Sequence, residues 1–432
     1  FQFGNYFRIN KETGERKKLE FPEEVGEPKL RFNWQSPTLV SRHNQDVIYF
    51  GSNKFHRSMD KGDAFKTLSG DLTRGYREGD VAYGTLTTLD ESPLRFGLLY
   101  AGSDDGLIHI SKDGGYSWTK ISDGLPAAVQ KLWVSRVTAS GHEEGTVYVS
   151  MNGYRDDLFD ALVFRSTDYG KTWQAIGTDL PAEPVNVVKE DPKNANILYV
   201  GTDHGLYISM DKGKSFMKAG NLPAVAVHDL VVHSRENDLI VGTHGRSLYV
   251  APVSQLQQMT DSVTTKPLYV FELKPDKYKA NWGKMWNKYG EKPEYKFELP
   301  YYVKTAGKTT ITLMADSLAL RTLTDTSEAG LNYVTFDYAV DTTARETYQN
   351  WLNAGRKEGR PVKLKAADDG KLYLRPGTYK LVFEKGGVKE EKEWELKAPE
   401  TKKRGVVTAP RPGASPDEWE EWMEEQGYEE TK

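Results

Sequence analysis

The chain has 432 residues, and 58 Lys and Arg against 62 Asp and Glu give a formal net charge of −4. The basic residues are scattered with no stripe, which excludes a nucleic-acid footprint, while 38% hydrophobic and 12% aromatic residues exclude a disordered chain. There is no cysteine, so disulfides and cysteinyl metal sites are excluded; no run of 18 apolar residues offers a membrane span, and the length leaves room for two or three domains.

The chain opens Phe1-Gln-Phe-Gly-Asn-Tyr-Phe-Arg-Ile-Asn, with neither Met nor a signal peptide. Residues 6–10 and 17–21, joined by Lys-Glu-Thr-Gly-Glu, read as a β-hairpin cut from a larger sheet. The expectation is the C-terminal portion of a longer protein, entered in mid-domain.

An eight-residue pattern, S-x-D-x-G-x-x-[WF], then occurs four times. Its fixed positions are Ser58, Asp60, Gly62 and Phe65, then Ser111, Asp113, Gly115 and Trp118. They return as Ser166, Asp168, Gly170 and Trp173, and as Ser209, Asp211, Gly213 and Phe216. The copies start 53, 55 and 43 residues apart, a period that marks a β-propeller. The Ser hydroxyl and Asp carboxylate suit the backbone N–H groups of a tight turn. The Gly suits a positive φ, and the aromatic packs between blades. A competing reading makes the four aspartates catalytic or calcium-binding, but a propeller has one functional site where this turn chemistry recurs in every copy.

Second strands recur as Val47-Ile-Tyr-Phe-Gly-Ser, Leu98-Leu-Tyr-Ala-Gly-Ser, Val147-Tyr-Val-Ser, Ile197-Leu-Tyr-Val-Gly-Thr and Leu239-Ile-Val-Gly-Thr. They define blades at about 31–70, 82–123, 131–178, 185–220 and 226–252, the last without the pattern. Five blades do not obviously close a ring, so further blades, and a partner segment covering the open arc, are expected. The repeats span 1–258. After a linker at 260–267, a second all-β unit is expected over 267–398, with strands at 268–273, 295–299, 309–314, 331–338, 371–374 and 378–384 and a helical insertion near 342–357. Residues 399–432 read as a basic, Pro/Gly-rich linker and an acidic helix, capped by Ser415-Pro-Asp-Glu, that carries Trp419, Trp422 and Met423 on one stripe.

The repeat resembles the Asp-box, or bacterial neuraminidase repeat, of sialidases, xyloglucanases and the sortilin ectodomain. The stretch Gly330-Leu-Asn-Tyr-Val-Thr-Phe-Asp with Leu374-Arg-Pro-Gly-Thr-Tyr-Lys-Leu-Val-Phe resembles an Ig-like domain of the kind that follows such propellers in secreted bacterial proteins. The implied fold is all-β: an Asp-box propeller of four-stranded blades, a C-terminal Ig-like β-sandwich and a short acidic helix.

The candidate chemistry is sparse. Phe7-Arg-Ile-Asn echoes the sialidase arginine motif but has Asn10 where that motif has Pro. A xyloglucanase-type inverting glycosidase needs two carboxylates about 6.5–9.5 Å apart. Asp104, Asp105, Asp156, Asp157 and Asp203 sit on blade loops, where they serve turns as readily as chemistry. His204, His228, His233 and His244 cluster late in the propeller, but Gly201-Thr-Asp-His-Gly and Gly242-Thr-His-Gly-Arg occupy equivalent places in successive blades, so no metal site is assigned and no cofactor is expected. The best binding candidate is the insertion Asn152-Gly-Tyr154-Arg155-Asp156-Asp157-Leu-Phe159-Asp-Ala, a long loop in one blade only. The alternative is that Tyr154 and Phe159 pack over a neighbouring blade. Trp282 and Trp286 either stack on sugars or pack.

The leading expectation is an extracytoplasmic, non-enzymatic recognition or scaffold protein of the sortilin-like kind, binding a protein or a glycan. The alternative is a glycoside hydrolase acting on a polysaccharide through paired carboxylates on the propeller face.

Overall fold

The computed structural model describes residues 2–23, 25–79, 82–220, 222–284, 294–354 and 361–399. The chain divides into two compact units, Phe1–Val263 and Thr264–Lys432. The first opens with a hairpin of β1 (Phe7–Ile9) and β2 (Arg16–Lys18). Four four-stranded antiparallel blades follow. They are β3 (Thr38–Val40), β4 (Ile48–Gly51), β5 (Phe55–Ser58) and β6 (Lys66–Thr67), then β7 (Leu86–Glu91), β8 (Leu99–Ser103), β9 (Ile108–Ser111) and β10 (Thr119–Lys120). Next come β11 (Trp133–Ala139), β12 (Val147–Gly153), β13 (Leu158–Ser166) and β14 (Gln174–Ile176), and β15 (Val185–Glu190), β16 (Leu198–Thr202), β17 (Gly205–Ser209) and β18 (Met217–Lys218). A fifth sheet has three strands, β19 (Val227–His233), β20 (Asp238–Thr243) and β21 (Leu248–Pro252). This is the blade pattern of a β-propeller.

First strands touch first strands from blade to blade, so β7, β11, β15 and β19 form the inner ring. Hydroxyls stitch it. Thr87 Oγ1 donates to Val134 O at 2.6 Å, Ser135 Oγ to Val185 O at 2.7 Å and Thr138 Oγ1 to Val188 O at 2.8 Å.

The repeated turn joins third to fourth strand and has the same geometry in all four copies. Ser Oγ donates to Asp Oδ1 at 2.6, 2.9, 2.8 and 2.8 Å and accepts from the Gly N–H at 2.7–2.8 Å. The Asp Oδ1 also accepts the N–H of Ala64, Ser117, Thr172 or Ser215. Gly62, Gly115, Gly170 and Gly213 have φ between +83° and +94°. Beneath each lies an aliphatic side chain from the preceding sheet: Leu19, Leu68, Ile121 and Ile176. Trp118 Nε1 donates to Leu68 O, and Trp173 Nε1 to Ile121 O. Leu19 therefore sets the β1–β2 hairpin where the outer strands of a preceding blade belong.

After β21, residues read as linker carry two helical turns, Ser254–Gln257 and Asp261–Thr264. Gln257 is pinned to the fourth blade, its Nε2 donating to Asp191 at 3.0 Å.

The second unit is a β-sandwich. One sheet pairs Leu268–Val270, Phe297–Val303 and Gly330–Phe336. The other runs Asp276–Lys277, Val388–Lys397, Gly377–Lys385, Gly307–Ala315, Leu318–Ser327. Trp394, Tyr301, Phe336 and Phe383 fill the core between them. Leu318–Ser327 and Val388–Lys397 are absent from the sequence expectation. The helical insertion is a 3-10 turn, Thr342–Ala344, and a helix, Arg345–Ala354, that sends Tyr348 into the core. The acidic helix expected in the tail, with Trp419, Trp422 and Met423, lies outside the described residues, as does Trp286.

Candidate functional site

Four first strands carry the same irregularity. Register breaks at Leu86/Thr88, Val134/Arg136, Val185/Val187 and Val227/Asp229, one extra residue each time. A bulge of this kind turns its side chain away from the ladder. The bulged residues are Thr87, Ser135, Asn186 and His228, and all four line one cavity of about 300 Å³ at the second-to-third-strand end of the propeller. All four are hydrogen-bonding types. The sequence signal is an apolar-polar-x-apolar tetrad opening each blade: Leu86-Thr-Thr-Leu, Val134-Ser-Arg-Val, Val185-Asn-Val-Val and Val227-His-Asp-Leu.

Trp34, 52% exposed, and Tyr154, 45% exposed, supply aromatic surface to this cavity. Arg155 lies over the Trp133 ring at 4.2 Å and over Tyr154 at 4.6 Å, a cation–π sandwich that fixes the guanidinium. A polar chain braces the wall: Asn152 Nδ2 donates to Asn186 Oδ1 at 3.1 Å, and Asn186 Nδ2 to Asp203 Oδ1 at 2.9 Å. Opposite, Arg136 pairs with Asp229 at 2.9 Å. The His228 and His244 rings stack at 5.1 Å, and burial, then His244, lowers the His228 pKa.

A second cavity of about 390 Å³ shares Trp133 and Arg155 with the first and extends outward past Arg77, Tyr83, Lys131 and Asp156. The two make one groove. Arg77 sits over the Tyr83 ring at 5.0 Å. Three carboxylates line this cavity: Glu78, Asp104 and Asp156. Asp104 is 2% exposed and both its oxygens accept from Thr85, N–H at 3.0 Å and Oγ1 at 2.6 Å. Burial raises its pKa to about 6 against those two bonds. Asp105 is equally buried, accepting from Ser103 Oγ and Arg74 N at 2.6 Å each. Both are loop staples. Glu78 and Asp156 are exposed.

The structure thus brings Tyr154, Arg155 and Asp156 to the groove. Asp157 instead ends the 3-10 turn Tyr154–Asp156 in a left-handed conformation, φ 55°. The insertion is less a loop than a hairpin, since β12 runs to Gly153 and β13 starts at Leu158. Phe159 is 51% exposed. Sequence reading missed Trp34, Trp133, Arg136, Arg77 and the bulged residues. Trp282 is 5% exposed and stacked on Tyr338 at 4.3 Å, hence core in the second unit. Among the described residues no three His, Asp or Glu side chains gather with metal-ligand geometry, and no helix is long and apolar enough to cross a membrane.

No family profile matches the chain. It is 28% identical over 150 residues to a xyloglucanase of Hypocrea jecorina (strain QM6a), a stretch covering 32% of this chain and 18% of that protein. Similar solved structures include a GH74 xyloglucanase from Xanthomonas campestris, with 18% identity and TM-score 0.40 over 56% of this chain and 39% of the other. An ancestral GH74 enzyme aligns with 13% identity and TM-score 0.41 over 85% and 47%. The chain spans less than a fifth of the curated relative and less than half of these structures.

Proposed function

We propose that this chain is a glycan-engaging propeller of the xyloglucanase-like kind, acting outside the cytoplasm on a β-glucan such as xyloglucan. The observation that carries it is the groove: a ring of bulge-aimed hydroxyl, amide and imidazole groups beside exposed Trp34 and Tyr154. Sugars are bound by this combination of directional hydrogen bonds and aromatic faces. The glycoside-hydrolase reading gains more from the xyloglucanase match than the scaffold reading does. Hydrolysis falls to the exposed carboxylates Glu78 and Asp156, which come from two different loops onto one cavity. The repeated turns belong to the Asp-box kind and the sandwich to the Ig-like kind.

Affinity electrophoresis of the full chain in gels containing xyloglucan tests binding. Retardation is expected, with Trp34→Ala plus Tyr154→Ala weakening it about tenfold or more, the scale of losing an aromatic anchor. Release of reducing ends, abolished in Glu78→Gln or Asp156→Asn with retardation intact, tests hydrolysis. A chain that migrates unretarded in every β-glucan tried refutes the glycan reading. Retardation without new reducing ends keeps binding and removes catalysis.

A further inference from the structure

One side chain stands where the two cavities of the groove meet. Arg155 is the middle residue of the 3-10 turn Tyr154–Asp156, and that turn is pinned at both ends. Buried Asn152 accepts the Tyr154 N–H at 3.1 Å, and the left-handed Asp157 returns its N–H to Tyr154 O. The rings of Trp133 and Tyr154 cover the flat surface of the guanidinium at 4.2 and 4.6 Å. What it can offer a ligand is therefore its rim. A guanidinium carries five N–H donors in one plane, and among the described residues no hydrogen bond or ion pair engages those of Arg155. Arg155 is exposed, and both cavities reach it.

The charge around this donor set is balanced. In the outer cavity Arg77, Lys131 and Arg155 face Glu78, Asp104 and Asp156. In the inner one Arg136 is paired with Asp229, and Asp203 stands behind Asn186. Carboxylates match or outnumber cations, so no net positive field draws an anionic ligand. A neutral ligand rich in oxygen acceptors suits the free donors better. The planar fork of an arginine meets two neighbouring oxygens at once, and on a neutral sugar these are the hydroxyls of a vicinal diol. Trp34, in the same inner cavity, supplies an aromatic face for such a sugar.

We infer that Arg155 is a specificity-determining residue of this groove, reading a free vicinal diol and so favouring a β-1,4-glucan backbone over a β-1,3-glucan. The inference rests on the glycan reading above. Inside a β-1,4-linked chain every glucose keeps O2 and O3 as a free vicinal pair. Inside a β-1,3-linked chain O3 belongs to the glycosidic bond, and neither O2 nor O4 has a free neighbour on the ring. The fork then loses one of its two acceptors, a difference of about tenfold in affinity, the scale of one charged hydrogen bond.

Affinity electrophoresis of the full chain in gels containing xyloglucan or a linear β-1,3-glucan tests the inference. The parent is expected to be retarded more by xyloglucan. Arg155→Met keeps an apolar stem between the rings, and Arg155→Lys keeps the charge without the fork. Each is expected to weaken the xyloglucan interaction about tenfold, to leave any β-1,3-glucan interaction as it was, and to melt close to the parent. Equal losses on both glucans would make Arg155 a mere support for Tyr154 and overturn the inference. Arg155→Lys binding xyloglucan as tightly as the parent would show that a point charge suffices, and overturns it as well. Xyloglucan binding unchanged in both variants overturns it and leaves the glycan reading standing. A parent that xyloglucan does not retard overturns the glycan reading itself, and this inference with it.

Discussion

Tyr49 and Tyr148 occupy the same place in the first and third blades, and each donates its hydroxyl to a buried glutamate of the next blade. Glu91 accepts from Tyr49 at 2.8 Å and from Ser41 at 2.6 Å; Glu190 accepts from Tyr148 at 2.9 Å and from Ser140. Burial, reinforced by the glutamate, pushes both phenols far above their usual range, so each remains a donor at any ordinary pH. Tyr100 is the equivalent residue of the second blade, but the third blade has Ala139 where its neighbours have Glu91 and Glu190. Its hydroxyl is buried with no protein partner. Removing one partner of a buried bond leaves the other unsatisfied and costs about 1–3 kcal/mol, whereas removing a hydroxyl that was already orphaned costs little. Tyr49→Phe and Tyr148→Phe are therefore expected to destabilise the propeller by about 1–3 kcal/mol, and Tyr100→Phe to lie within about 0.5 kcal/mol of the parent or above it. Denaturant unfolding of the three variants measures this. Equal losses in all three would mean that a bound water completes the Tyr100 site.

At the scale of elements, the turn between third and fourth strands is the unit that the chain repeats. Adding a Cβ at Gly170 would place it 2.4 Å from Ile121 Cδ1 at a φ of +83°. The left-handed backbone costs about 1–2 kcal/mol and the overpacking a similar amount, so Gly170→Ala is expected to lose about 2–4 kcal/mol. The preceding position is also left-handed, at φ 61–64° where it is Lys61, Tyr169 or Lys212. Lys212→Gly is expected to be neutral or mildly stabilising, and the pair of melting temperatures separates steric from conformational cost. The turns were legible because their chemistry is local: Ser, Asp and Gly act within eight residues. The strand Val388–Lys397 was not, because seven of its ten side chains are Lys or Glu, five of them in the run Lys389-Glu-Glu-Lys-Glu before Trp394. Such residues have low strand propensity, and only pairing with Gly377–Lys385 makes a strand of them. The groove was half legible. Tyr154, Arg155 and Asp156 stood out as an insertion, whereas Thr87, Ser135, Asn186 and His228 depend on a bulge that pairing alone defines. For Asp104 and Asp105 the sequence left turn and chemistry both open, and the bonds from Thr85, Ser103 and Arg74 that occupy them as turn groups are visible only in the fold.

For the propeller as a whole, the repeated turns and the groove oppose each other in acid. Hydrogen bonds from Ser117 and from Thr172 hold the Asp113 and Asp168 carboxyls down at about 2, and Asp60 and Asp211 are lowered in the same way. In the unfolded chain all four titrate near an ordinary value of about 4. The stability they confer is complete above about pH 4 and drains away as the pH falls from about 4 toward 2. Asp104 has the opposite sign. Its folded pKa of about 6 means that the native state keeps the proton the unfolded state has released. Stability is therefore lost as the pH rises from about 4 to about 6. These groups together predict a maximum near pH 4–5, with two separable flanks. Asp104→Asn should flatten the neutral-side flank and leave the acid one. Asp113→Asn with Asp168→Asn should weaken the acid one and leave the neutral-side flank. Melting temperatures of the parent and both variants from pH 2 to pH 7 check this. An acid flank that persists unchanged without the two turn aspartates would show that the propeller unfolds in acid through carboxylates other than its repeated staples.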